Sequence, residues 1–248
     1  MVQLTRKQRE MERRAREILS VARPILLEDG FQALSMDRVA AQMEYAKGTI
    51  YNHFPNKEEI VLALAVQGMK LRRALFAKAV EQPGGSRHRL ACVGAACEFF
   101  VSNCFDDFRI EQLLRQVNIW DKTSEHRQNT IREYETSCIG LVSTIVQGAV
   151  ESGELQPPPG MNPPEIVFGF WAICYGSQVL AHSSPGLKEV GIPDFGRAMR
   201  IHLNSLCNGF GWQPFMNWQQ HIELMDDVHQ QLSGDFHQII TSQREDQQ

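Results

Sequence analysis

The sequence predicts an all-α fold, on three observations. Apolar residues recur at spacings of three and four through nearly the whole chain, no segment keeps the strict alternation of a half-buried strand, and capping residues stand where the periodic runs begin and end.

The first helix places Ala15, Ile18, Ala22, Ile25 and Leu26 on one face, and Gly30 is positioned to end it as a left-handed cap. Pro24 falls inside this run, where a missing amide should bend or disturb the helix. Ser35 is an N-cap for a short helix from Met36 to about Met43, with Asp37 in its first turn and Met36, Val39, Ala40 and Met43 facing inward. A turn at 44–46 leads to a second short helix, Lys47 to Phe54. Asn56 then opens a long helix, Lys57 to about Glu81, with capping-box spacing: Asn56 accepts from the third helical amide and Glu59 reaches back. Two short helices across a tight turn, braced before and after, make a helix-turn-helix arrangement.

Pro83-Gly84-Gly85 is the clearest internal break. Helices are expected from Arg87 to Cys104, Asp107 to Asn118 and Ser124 to Ser152, ahead of a proline- and glycine-rich loop at 156–164. Two more follow, Pro164 to His182 and Pro193 to Asn208. A last helix beyond Gly211 carries Phe215, Trp218, Ile222, Met225, Leu232, Phe236 and Ile239, with Gly234 as a kink, and the final six or so residues read as disordered.

Composition narrows the function. At 248 residues and 43 % apolar, the chain can bury a substantial core, which excludes chain-wide disorder. A net charge of −4 does not advertise nucleic acid, but residues 1–57 hold ten basic side chains against seven acidic ones, leaving −7 for the remainder. A basic head on an acidic body suits phosphate contact at one end. The start has no apolar stretch of secretory type, so a cytoplasmic protein with six free thiols is expected. No C-x-x-C pair points to zinc or an iron-sulfur cluster, and the cysteines read as small apolar residues.

The span Ile166 to Leu187 has no charge, but its strongly apolar part, Ile166 to Ala181, is short for a bilayer and contains Gly169, Gly176 and Gln178; burial in protein is expected instead. His182, His202 and His221 lack metal-ligand spacing, and Ser177 has no nucleophile elbow around it. No enzyme, metal or cofactor is therefore expected. An all-α enzyme and a protein-binding module that reuses the helix-turn-helix are the rival classes.

The segment Ala46-Lys47-Gly48-Thr49-Ile50-Tyr51-Asn52-His53-Phe54-Pro55-Asn56-Lys57-Glu58-Glu59 resembles the recognition-helix signature of TetR-family regulators. Ser35-Met36-Asp37-Arg38-Val39-Ala40 resembles the helix before it, and the likeness covers roughly residues 9 to 64. The residues agree physically. Ile50 and Phe54, four apart, can pack on Val39, Ala40, Ile25 and Phe31, which leaves Thr49, Asn52 and His53 on other faces. Gly48 lets the helix approach DNA closely, while Lys47 and Lys57 put positive charge at two helix starts.

By this resemblance Ser35, Tyr51, His53 and Lys57 contact mainly the DNA backbone. Lys47, Thr49 and Asn52 lie nearest the base edges, and Gly48 is a further position that touches DNA. Tyr51 also reads as a core residue with an exposed hydroxyl. Glu44 departs from the family, which often has glycine there, and so does Ala46, where serine or threonine often caps the recognition helix. Arg6, Lys7, Arg9, Arg13, Arg14 and Arg16 form either a DNA-binding arm or a solvated face paired with Glu10, Glu12 and Glu17.

The resemblance further implies a ligand-responsive regulator, a repressor by family habit, that binds palindromic double-stranded operator DNA as a homodimer. It implies three parts: residues 1–57 for DNA binding, 58–212 for ligand binding and dimerisation, and 213–248 as an additional helix and tail. A pocket for a small apolar or planar ligand would be lined by Phe99, Phe100, Phe105, Phe108, Trp120, Tyr134, Cys138, Trp171 and Tyr175, although each of these side chains taken singly reads first as core. Helices near 164–182 and 193–208 would pair with their symmetry mates, Gly169 and Gly176 permitting close approach.

Overall fold

The computed structural model describes residues 5–115, 117–183 and 185–245, and the regular elements among them are all helical. In order they are α1 (Arg6–Pro24), a π-turn (Ile25–Asp29), α2 (Met36–Gln42), α3 (Lys47–Tyr51), α4 (Lys57–Val80), α5 (Ser86–Asn103), α6 (Phe105–Leu113), α7 (Val117–Trp120), α8 (Glu125–Glu151), α9 (Pro163–Ser183), a 3₁₀ turn (Pro185–Leu187), α10 (Phe195–Gly209) and α11 (Trp218–Glu245). They form two compact units. The first takes the described residues up to Leu71, Cys104–Glu135 and those from Gln238; the second takes Arg72–Asn103 and Thr136–His237. This partition differs from the boundaries at 57 and 212 expected from the sequence, because α4, α8 and α11 each contribute residues to both units.

In the first unit a capping box closes the start of α1, with Thr5 accepting from the Gln8 amide and Gln8 accepting from the Thr5 amide. Pro24 has no amide to donate, and its ring crowds the carbonyl four residues back. The chain answers by widening into the π-turn, which keeps Ile25 and Leu26 buried beside Ile18 and Ala22 before Gly30, at φ 85°, ends it. The disturbance expected at Pro24 thus takes the form of one wide turn.

Ser35 caps α2 by accepting from the Arg38 amide. The α3 helix is shorter than expected, closing at Tyr51, while Phe54 still reaches the core through its amide bond to the Ile50 carbonyl.

At the start of α4 only half of the expected capping box forms. Asn56 accepts from the Glu59 amide at 2.9 Å, but the Glu59 carboxylate turns to the Ser124 amide at 2.5 Å and Arg127 Nε at 3.1 Å. Burial pushes the Glu59 carboxyl up; the Ser124 and Arg127 donors outweigh it, and the net effect is a lowered pKa. α6 lies close against α4, since a Cβ on Gly68 would stand 2.9 Å from Asp107 Cβ and 3.3 Å from Glu111 Oε1. Asp107, itself buried, accepts from Arg23 at 2.8 Å, and Arg23 also donates to Gln67. The expected helix from Asp107 to Asn118 is split into α6 and α7.

In the second unit α9 packs on α5 and α10, with Leu206 Cδ2 3.2 Å from where a Gly169 Cβ would be. α11 stays helical through Gly234, and it starts at Trp218, leaving Phe215 in the preceding loop. Gln243 to Glu245, expected to be disordered, are its last turn; the remaining tail residues lie outside the described ones. Met225, Val228, Leu232 and Phe236 form its buried stripe, Phe236 meeting Phe99 with ring centroids 5.2 Å apart.

Polar contacts fix α11 and the loop before it. Arg87, buried on α5, donates to Asn204, Asn208 and the carbonyls of Trp212 and Pro214. Glu98 accepts from Arg200 at 2.6 Å and lies 2.7 Å from His229 Nε2. Burial raises the Glu98 carboxyl pKa, but the Arg200 and His229 donors bring it below the ordinary value.

The uncharged helix is only partly covered within a single chain. α9 has the length and composition of a membrane-crossing helix, yet it is not enclosed: Phe168, Trp171 and Leu180 are 62 %, 40 % and 55 % exposed.

Candidate nucleic-acid interface

The helix-turn-helix is held by Val39, Ala40, Ile50 and Phe54, all buried with Ile25, and by Phe31 and Met43 packed against them. Because Ile50 points inward, the residues around it on α3 are turned out. Ser35, Lys47, Gly48, Tyr51 and Asn52 are exposed, and Thr49, His53 and Lys57 are half-exposed, so all eight nominated residues reach the surface of the first unit. Tyr51 is 50 % exposed, which decides against its reading as a core residue.

Electrostatics divide the set. Lys47 Nζ lies 2.5 Å from Asp37 Oδ2, a contact between recognition helix and preceding helix that their separation in the sequence does not reveal. Lys57 Nζ donates to the Phe31 carbonyl at 2.9 Å and sits 4.2 Å from the Phe31 ring centre. Burial, with Arg14 nearby, pushes the His53 pKa below its ordinary 6.5, so its ring is mostly neutral at pH 7 and offers hydrogen bonds rather than charge. Arg38 adds an ion pair with Asp29 at 2.5 Å.

The basic cluster ahead of the core lies on the first turns of α1. Residues from Thr5 to Arg9 are exposed, Arg13 pairs with Glu10 and Glu17, and Arg14 pairs with Glu10 at 3.1 Å.

The nine residues nominated for a ligand are divided between the two units. Phe105, Phe108, Trp120 and Tyr134 belong to the first unit, where Phe105 and Phe108 have ring centroids 6.4 Å apart and Trp120 and Tyr134 pack on its core. Phe99, Phe100, Cys138, Trp171 and Tyr175 belong to the second. There Phe99, Phe100 and Cys138 are buried, and Trp171 and Tyr175 have ring centroids 6.5 Å apart on α9. A cleft of about 390 Å³ in the second unit is lined instead by Gly153, Gln156, Pro158, Gly209, Phe210, Gly211 and Gln213. Among the described residues no group of three or more His, Cys, Asp or Glu is arranged to hold a metal ion.

Residues 18–64 match the family described as bacterial regulatory proteins, tetR family. Over 140 residues the chain is 32 % identical to the HTH-type transcriptional regulator UidR of Escherichia coli (strain K12), covering 56 % of this chain and 68 % of that one. The chain belongs to the TetR family.

An HTH-type transcriptional regulator from Mycobacterium tuberculosis (strain ATCC 25618 / H37Rv) is 39 % identical over 57 residues; that match spans 23 % of this chain and only 28 % of the relative. Among solved structures, the transcriptional regulator FadR from Bacillus subtilis in complex with stearoyl-CoA has the same fold. It superposes with a TM-score of 0.59 at 19 % identity, over 78 % of this chain and 97 % of that one.

Against the TetR-family pattern, the two departures have visible consequences. Glu44, in the place of a frequent glycine, adopts φ 55°, and it is the one non-glycine residue with positive φ among the described residues. The turn demands it: the Glu44 amide bonds the Ala41 carbonyl and the Tyr45 amide bonds the Ala40 carbonyl, closing α2 in a Schellman motif. Ala46 heads α3 with no side-chain cap.

Proposed function

We propose that this TetR-family chain is a ligand-responsive transcription regulator, acting as a repressor in the cytoplasm and turning over no substrate. It binds a palindromic operator in double-stranded DNA as a homodimer. The observation that carries this reading is the surface of the helix-turn-helix, where Lys47, Gly48, Tyr51 and Asn52 are exposed around the fully buried Ile50. One such helix reads few base pairs, so useful specificity requires a second copy on the other half-site.

The second copy has a surface to use. α9 and α10 pack on each other and leave Phe168, Trp171 and Leu180 open, an apolar face suited to a two-fold contact. We assign the ligand to the second unit, near Phe99, Phe100, Cys138 and Tyr175, and its class to small, largely apolar or planar molecules; the stearoyl-CoA bound in the FadR structure is a precedent for an apolar chain held by a protein of this fold.

The test is selection of genomic fragments by the full chain, footprinting of the enriched site and sedimentation of the protein. A protected two-fold symmetric site and a dimer are expected; strictly monomeric protein at micromolar concentration, or no enriched site, would overturn the reading. Ligand and operator must weaken each other's binding by the same factor, and a thousandfold loss of DNA affinity needs about 4 kcal/mol of coupling.

A further inference from the structure

The first turns of α1 carry charge that the free chain does not neutralise. Arg6, Lys7, Glu10, Arg13, Arg14 and Glu17 follow one another at spacings of three and four and line one stripe of the helix. Glu10 pairs with both Arg13 and Arg14, and Glu17 pairs with Arg13, so the acids of the stripe are taken by its later cations. Arg6, Lys7 and Arg9 are exposed, no acid stands in the first turn, and none of the three has an ion pair among the described residues. Nor do they stabilise the helix, whose amino end is the positive end of its dipole and disfavours cations.

The stripe leads to the helix-turn-helix. Tyr45, in the turn between α2 and α3, donates its hydroxyl to Glu17 at 3.4 Å, and Arg14 lies near His53. From Glu17 back to Arg6 is about 16 Å of helix, so the unpaired cations extend the positive surface about that far from the turn.

Resting on the reading of the helix-turn-helix as a DNA interface, we propose that Arg6, Lys7 and Arg9 form a second, sequence-independent part of that interface, which holds phosphates beside the groove that α3 reads. The phosphates supply the anions that the free chain lacks there, and each one neutralised releases about one counterion. Contacts of this kind position a protein on the duplex and carry no base information. They add affinity and leave discrimination to Lys47, Thr49 and Asn52.

The experiment compares three full chains: wild type, the triple variant Arg6→Ala, Lys7→Ala, Arg9→Ala, and the charge-keeping double variant Arg6→Lys, Arg9→Lys. The probes are two duplexes of about 30 bp, enough for two half-sites a helical turn apart. One has a random sequence and the other is the duplex that wild type enriches from a random-core pool. The alanine variant should bind both more weakly by one common factor, about tenfold at low salt, and its plot of log affinity against log salt should be shallower by about two to three. The charge-keeping variant should retain the wild-type slope. Thermal unfolding of the alanine variant should be unchanged or slightly higher, since alanine favours the helix and the repulsion at its end is gone.

A wild-type salt slope in the alanine variant overturns the proposal, because the cations then only face solvent. A loss confined to the enriched duplex overturns it too, since that means base reading, and so does a lowered thermal midpoint, which means that the cations hold α1 in place. If wild type enriches no duplex, the reading as a DNA-binding regulator fails together with this one. If wild type enriches a duplex and the alanine variant keeps its slope, this proposal alone fails.

Discussion

The Lys57 ammonium donates to the Phe31 carbonyl oxygen at 2.9 Å and stands 4.2 Å from the centre of the Phe31 ring. The first residue of α4 thus grips the loop that follows the π-turn. Lys57 is an anchor of the helix-turn-helix as well as a proposed phosphate contact. Lys57→Ala should therefore lower affinity for every duplex about equally and also cost about 1–2 kcal/mol of stability. Thr49→Ala and Asn52→Ala should change which operator substitutions are tolerated and leave stability nearly unchanged. Binding to a panel of operator variants, alongside urea unfolding, separates the two behaviours; parallel losses across the panel for all three would contradict the division.

Glu44 supplies the second expectation. A side chain at φ 55° is strained where glycine is not, and the hydrogen bonds of the Schellman turn keep the backbone there. Glu44→Gly should stabilise the chain by about 1 kcal/mol, seen as a higher denaturant midpoint at unchanged slope. A lower midpoint would show that the Glu44 side chain does more than tolerate the turn.

His221 sets a pH dependence. It is 6 % exposed, and neither ring nitrogen has a hydrogen-bond partner among the described residues. Burial, reinforced by Arg87 and Arg200 and opposed by Glu98, pushes its pKa from 6.5 down to about 4. Between those values the unfolded chain binds the proton and the folded chain does not. The contribution to stability is thus complete above pH 6.5 and is lost as pH falls towards 4, about 3 kcal/mol in all. His221→Leu should flatten unfolding free energy across this window, with no loss of stability at pH 7. An unchanged acid limb would place the lability elsewhere.

The open face of α9 gives the fourth. Leu180→Asp puts a charge on an apolar surface that is 55 % exposed in the single chain, so it should leave folding intact while abolishing self-association. Analytical ultracentrifugation with circular dichroism reads both. A dimer that survives the substitution would move the interface away from this part of the helix.

What could be read from the sequence was local. Ser35, Gly30 and Asn56 announce helix ends because their bonds close within a few residues, and the burial of Ile50 and Phe54 follows from their spacing. The second half of the Asn56 capping box was not legible, since the Glu59 carboxylate finds better donors at Ser124 and Arg127, far along the chain. The Arg23–Asp107 and Lys47–Asp37 pairs were hidden for the same reason: the fold, not the spacing, brings them together. The nominated aromatics were read as one group because period alone cannot tell which compact unit a helix joins, and Phe105 and Phe108 fall in a different unit from Phe99 and Phe100.

The contact between Gly68 and Asp107 extends beyond this one sequence. With only 2.9 Å between an imagined Cβ at position 68 and the Asp107 Cβ, the two sites share a fixed volume. In descendants of this gene they cannot drift independently. A lineage that acquires alanine or serine at 68 should carry glycine at 107, the one residue without a Cβ, and with the aspartate gone Arg23 would lose its buried anion and be free to change as well. Three positions scattered over the first half of the chain would then evolve as one.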